Sequence, residues 1–548
     1  MHIRSVVGFS FLVALASACN STVSSGPVSV TVSPASADVL TCSTKTFAAA
    51  VVGSDDTSVT WSVTPSGVGS IDATGVYTAP IATPSPDGVS VMATSVADPT
   101  ARGTATATLA TAFPGAARAI PGSTELTDGV FPHSLATSGS RVYAVWSTEP
   151  SLAPSLMVAR SDDAGATWKA AVTAMHVAVT NNNADPFDCM SIAIDAGNPD
   201  VVYVYGRVPD PTDLGDAAAG GSGGVTGLLA VSTDGGQTFA TTVMQVGGTA
   251  GGPNNGWDQV GICGDVASPA PDTVVVESPG GYNGDGNPDI AIWSDASRGA
   301  GFATGTTTPG DYLANGYTDA LDDLQGNHDI DVAQNGGTDD TNGATESPRL
   351  FTDGKGRLCI TYEGDTYPTN GDTQSHVYVQ CSTDAAKTFS APLAADPQNP
   401  INTYLTSPIG ALGPNQTAAE LWSTGFADKR LLVATSTDAG NTFGAPVSIP
   451  TYVLPDQSHA APANPNVAYD AAGVLWVAYY AYDGYTFDRL VVDKSCDNGK
   501  TWSGAVLVNG PEGAITNYTF PTLVMTPGDA PQLAATAKDH RVLFSLAP

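Results

Sequence analysis

Beyond the first two dozen residues, apolar positions in this chain do not recur at helical spacing. They alternate with polar ones, or gather in runs of a few residues bounded by Gly, Pro, Asn and Asp, which is the pattern of short β-strands separated by turns. Between residues 131 and 548 the runs come in pairs around a tight turn, as in SLATSGSRVYAVW, SIAIDAGNPDVVYVY, RLFTDGKGRLCITYE and NVAYDAAGVLWVAYY. Seven such pairs begin near residues 131, 187, 260, 347, 406, 465 and 520, and most are followed by a third run such as LMVAR, VYVQC or LVVDK. Units of this kind bury their faces by stacking side by side, which predicts an array of four-stranded sheets. The last unit stops after HRVLFSLA, its third strand, so GAARAIP at 115–121 is expected to supply the missing outer strand.

The third run is repeatedly closed by one motif, Ser-x-Asp-x-Gly-x-Thr-aromatic: SDDAGATW from Ser161, STDGGQTF from Ser232, STDAAKTF from Ser382, STDAGNTF from Ser436 and SCDNGKTW from Ser495. A Ser hydroxyl and an Asp carboxylate that accept backbone N–H groups, with Gly at positive φ, make a turn clip. A decayed copy spans Ser294 to Phe302. The motif resembles the Asp-box, or BNR repeat, of the sialidase superfamily, and the likeness covers residues 113–548. It implies a β-propeller in which each box joins the third and fourth strands of a blade, on the face away from the active site. Asp163, Asp234, Asp384, Asp438 and Asp497 would then be structural. Sialidases have six blades; the repeats here favour seven, with six left open.

Ahead of the repeats the pattern changes twice. Residues 1–18 carry Arg4 and then an apolar run from Val6 to Ala16, too short to span a bilayer, which reads as a signal peptide. Leu15-Ala16-Ser17-Ala18-Cys19 resembles a bacterial lipobox, making Cys19 the expected lipidation site and 19–27 a Ser-rich tether; ordinary secretion is the alternative. Residues 28–112 alternate through about seven short strands, with Trp61 and Tyr77 as core candidates. They resemble bacterial Ig-like modules. The fold class expected is therefore all-β: an Ig-like β-sandwich followed by an Asp-box β-propeller.

Composition narrows the partners. With 53 acidic against 20 basic residues the net charge is −33, a field that repels nucleic acid and anionic headgroups, so membrane contact is expected through the lipid anchor alone. Six cysteines remain after Cys19 in an exported chain, an even number that points to disulfides. Cys359 and Cys381 flank one hairpin loop symmetrically and are the best pair. Cys189 with Cys263 and Cys42 with Cys496 are the further pairings considered.

Chemistry is sought on the rim opposite the boxes, in the loops joining second to third strands and sheet to sheet. The longest is Phe302 to Glu346, rich in Asp; a second, with Asn283, Asp285, Asn287 and Asp289, resembles a calcium loop of integrin-type repeats, and calcium is the one cofactor considered. For glycoside hydrolysis two carboxyls must face one cleft. Candidates are Asp185, Asp188, Asp258, Glu277, Glu363 and Asp365, with Arg349 as an anion ligand. Trp257, Tyr480, Tyr482 and Arg207 are candidate ligand contacts, the rings for stacking on sugar. No three-arginine clamp of the sialidase kind is evident among the twelve Arg. The favoured reading is an exported surface lipoprotein, at the outer membrane or cell surface, whose propeller binds glycan or protein without catalysis. The alternative is an exo-sialidase-like glycoside hydrolase.

Overall fold

The computed structural model describes residues 26–116, 118–124, 134–148, 155–176, 189–209, 225–244, 264–279, 290–300, 345–366, 374–396, 406–424, 429–454, 456, 458–482, 489–508, 521–526, 530–537 and 540–546. Among these the regular structure is β throughout, save one short 3-10 turn at Pro414–Gln416. Contacts divide the chain into two units. The smaller comprises residues up to 37, 45–78 and 88–108; the larger comprises 38–44, 79–87 and 109–548.

In the smaller unit Gly88–Ser95 pairs antiparallel with both Val59–Thr64 and Arg102–Ala110, and Ser29–Ser33 pairs with Ala48–Val52. Nine strands, rather than about seven, lie between Ser29 and Ala110. Strict alternation of buried and exposed positions along Arg102–Ala110 marks a strand with one face on the core. Tyr77 is fully buried, whereas Trp61 is only partly so; its ring lies against Gly75, whose positive φ and close approach to Phe47 leave no room for a side chain.

The described part of the larger unit contains seven antiparallel sheets, six of them built from consecutive strands. Sheet 1 runs Leu135–Ser138, Arg141–Thr148, Ser155–Ser161, Val172–His176, and sheet 2 runs Cys189–Ile194, Val202–Pro209, Val225–Ser232, Ala240–Met244. Sheet 3 has three strands, Asp265–Ala267, Val274–Pro279 and Ile290–Asp295. Sheet 4 is Thr345–Thr352, Leu358–Thr366, Gln374–Ser382, Leu393–Ala394; sheet 5 is Thr406–Leu412, Ala418–Ser423, Leu431–Ser436, Val447–Ile449. Sheet 6 is Ala461–Tyr469, Leu475–Tyr482, Arg489–Ser495, Val506–Leu507. In sheet 7 the strands Thr522–Thr526, Ala530–Ala537 and His540–Ser545 are completed by Arg118–Thr124, with Arg118 opposite Leu543 and Ala119 opposite Val542. The segment expected to fill the gap does so, displaced a few residues toward the C-terminus. First strands of successive sheets adjoin in order, and that of sheet 7 adjoins that of sheet 1.

Second strands are buried along nearly their whole length, as in Leu475–Tyr482 and Arg141–Thr148, because a sheet faces them on either side. Three consecutive first strands break register at the same place, between Glu346 and Arg349, Thr406 and Ile409, and Ala463 and Asn466. Each break contains a proline, Pro348, Pro408 or Pro465, which has no N–H for the ladder.

All five motif copies lie between third and fourth strands and make one hydrogen-bond set. The Ser hydroxyl donates to the Asp carboxylate at 2.7–2.8 Å and accepts the N–H four residues on at 2.8–2.9 Å. The Thr hydroxyl donates to the second Asp oxygen at 2.6–2.7 Å. Two successive residues take positive φ in each copy, so Ala386 adopts +68° where the others have Gly. The Thr hydroxyls lead in holding the Asp163 and Asp438 carboxyls down at about 2.

Cys359 and Cys381 are directly opposite in register and disulfide-bonded, with Cα atoms 4.0 Å apart; Cys42 is bonded to Cys496 within the larger unit. The Cys189 side chain and Cys263 lie outside the described residues.

Candidate functional site

A buried grouping of charge lies on the first and second strands of sheets 3 and 4. Asp265 and Glu277 are opposite in register and buried, and Arg349, displaced by the Pro348 bulge, is buried beside them. The Asp265 carboxylate accepts the Ser191 hydroxyl from sheet 2, its neighbour Val266 N–H at 2.8 Å, and Leu350 N–H of sheet 4 at 3.1 Å. One side chain thus ties three successive first strands together. Burial pushes the Arg349 guanidinium down, while Asp265 and Glu277 oppose that shift. Glu363, also buried, sits opposite Val377 in sheet 4. In sheet 5 Glu420 is sealed, and neither of its oxygens meets bonding geometry with a partner. Burial pushes its carboxyl well above the ordinary range, and the Thr361 hydroxyl only partly counters it.

A second arrangement stands where the third strand of sheet 4 begins. His376 Nδ1 lies 3.2 Å from Asp396 Oδ1, with Val377 N–H donating to the same oxygen at 3.3 Å. Asp396 is buried, which pushes its carboxyl up, and His376 pulls it back. An imidazole held at Nδ1 by a carboxylate keeps Nε2 for proton exchange. The separation of twenty positions between the partners hides this pair in the sequence. The available signal is His376 where the strand passes from polar to apolar residues, two residues before Tyr378, which stacks on Tyr362 at 5.6 Å.

The remaining candidates scatter. Tyr480 is buried in the core of sheets 6 and 7 with Trp476, Leu523 and Leu533, so its ring faces protein; Tyr482 is partly exposed at the end of the same strand. Trp146, Tyr205 and Trp422 are likewise buried between sheets. Asp365 and Arg207 fall in the strands Leu358–Thr366 and Val202–Pro209, their side chains outside the described residues. Also outside are Cys19, Asp185, Asp188, Asp258, Trp257, Asn283, Asp285, Asn287 and Asp289, and with them the calcium loop and the Asp-rich insertion. Among the described residues no group of His, Cys, Asp or Glu has metal-site geometry.

A hollow among the described residues opens on the side of the box turns, a place the sequence did not single out. It encloses about 740 Å³ between the first-to-second-strand turns of sheets 4, 5 and 6, and Asp353, Lys355, Arg357, Asn415, Tyr469 and Asp470 help line it. Behind Asp470, Lys494 is buried 4.4 Å above the Trp476 ring, where desolvation brings its ammonium down to about 7 against the pull of Asp470 and Asp493.

No family model and no curated protein matches the chain. Among solved structures it resembles an α-L-arabinofuranosidase from Fusarium graminearum with an iminosugar inhibitor, at 13% identity over 80% of this chain and 98% of that one, TM-score 0.40. A PL25 ulvan lyase matches at 11% identity over 79% and 96%, TM-score 0.44. A point mutant of the sialidase NanB from Streptococcus pneumoniae matches at 12% over 79% and 68%, TM-score 0.36. These superpositions are too loose to carry a residue or an activity across.

Proposed function

We propose that the chain is an exported surface lipoprotein in which an Ig-like module carries a seven-bladed Asp-box propeller, and that the propeller binds glycan or protein without turning it over. The seven sheets are its blades, and Arg118–Thr124 closes the ring. The observation that carries the binding reading is the commitment of the buried charges. Asp265 spends its lone pairs on the first strands of sheets 2, 3 and 4, and Glu277, Arg349, Glu363 and Glu420 are packed between sheets rather than presented in one open cleft. Glycoside hydrolysis needs two carboxyls facing shared space at a set separation.

A glycan-active enzyme is the second reading, favoured by the Asp396-held His376 near the strand end that bears Asp365. A glycan array probed with the full chain, together with a chromogenic glycoside panel, separates the two. Binding without product supports the first reading. Product formation that is lost in His376→Ala supports the second, and silence in both assays removes glycan as the ligand.

A further inference from the structure

We propose that the hollow among the turns of sheets 4, 5 and 6 binds the carboxylate of an acidic saccharide; this deepens the glycan reading above and rests on it. Arg357 stands in the hollow's wall of turns. Its side chain is only 11% exposed, and its Nε is sealed from solvent without meeting hydrogen-bond geometry. Its one charged contact is Asp353 Oδ2, 3.4 Å from Nε. A largely desolvated guanidinium with a weakly met donor gains from an added acceptor, and its planar fork matches a carboxylate best.

The acidic side chains of the hollow do not fill that need. Asp353 Oδ1 already accepts Lys355 N–H at 2.8 Å and Arg357 N–H at 3.2 Å. Asp470 accepts Val474 N–H at 2.8 Å and the Trp476 indole at 3.3 Å, and faces buried Lys494 on its inner side. Both carboxylates are thereby turned into their own turns. Lys355, exposed at the mouth, has no ion pair among the described residues, so the charged donors of the hollow belong to two cations in a chain of net charge −33. Neutral hydrogen-bonding groups come from Asn415 and Gln416, and Pro414 and Tyr469 add apolar surface. The volume of about 740 Å³ lies within the usual range for small-ligand sites and accommodates one or two sugar rings.

The test is isothermal titration of the full chain with digalacturonate, with neutral digalactose of the same linkage, and with sodium sulfate. Digalacturonate should bind at least about tenfold more tightly than the neutral disaccharide, and Arg357→Gln should remove about tenfold of that affinity, with Arg357→Lys between the two. Lys355→Gln, at an exposed position that cannot compromise folding, should weaken binding about threefold. Equal affinity for the charged and neutral disaccharides overturns the proposal, as does unchanged binding by a folded Arg357→Gln. Sulfate binding as tightly as digalacturonate makes this an inorganic-anion site and overturns the saccharide assignment. Glycan binding on the array that survives all three substitutions sinks this inference and leaves the glycan reading standing.

Discussion

Replacing Asp265 with alanine strips the acceptor from three buried donors at once: the Ser191 hydroxyl, Val266 N–H and Leu350 N–H. Hydrogen bonds to a charged group are worth roughly 1.5–3 kcal/mol each, and the sum is less than additive because the three share one carboxylate. The same substitution removes one of the two carboxyls that offset burial of Arg349. Breaking a buried pair from one side costs about 3–5 kcal/mol. Together, with allowance for the sharing, these give a loss of at least about 4 kcal/mol, a large share of the ~5–15 kcal/mol that holds a typical domain folded. Urea unfolding followed by tryptophan fluorescence reads it as a lower midpoint at unchanged slope. Asp272→Asn is the control, since it removes the charge of the half-exposed pair with Arg298 at a left-handed position that Asn also tolerates, and should cost under about 1 kcal/mol. A loss below about 1 kcal/mol for Asp265→Ala refutes the view that this carboxylate staples sheets 2, 3 and 4.

Two further outcomes follow from the packing. Ile120, buried on the Arg118–Thr124 strand against the core of sheet 1, should cost about 3 kcal/mol on replacement by Ala; a loss under about 0.5 kcal/mol means that this segment does not close the ring. Glu420 has a folded-state pKa raised by burial, so the folded chain holds a proton that the unfolded chain releases, and stability falls as pH rises above the ordinary carboxyl range. Glu420→Gln should therefore melt higher than the parent at pH 7, with a gap that narrows on acidification toward pH 4, by at most about 1.4 kcal/mol per pH unit. A gap independent of pH contradicts the buried neutral carboxyl.

What could be read from the sequence was what repeats. The Ser-x-Asp-x-Gly-x-Thr turn announces itself because each position has a local job, and the structure gives the same hydrogen bonds at all five copies. The Cys359–Cys381 pair was legible for a related reason, since a symmetric hairpin fixes its own register. The second positive φ in each box, which puts Ala164, Ala385 and Ala439 in the left-handed region, has no residue signature. Charges on the inner strands misled for a physical reason. Glu277 in VVVESP and Glu363 in ITYEG look like strand-end residues, yet sheets packed on both faces bury them. Arg349 looked like the opening of a strand, and the Pro348 bulge carries it inward. His376 with Asp396, and the Arg357 hollow, join residues from separate strands or turns, which alternation along one strand does not encode.

The central claim, binding without turnover, is tested most directly by holding the full chain with its best array glycan, and in parallel with a fluorogenic sialoside, and following both by mass spectrometry over many hours. The account predicts that the glycan is recovered intact and the sialoside unhydrolysed. Cleavage of either that disappears in His376→Ala or Glu363→Gln would contradict it.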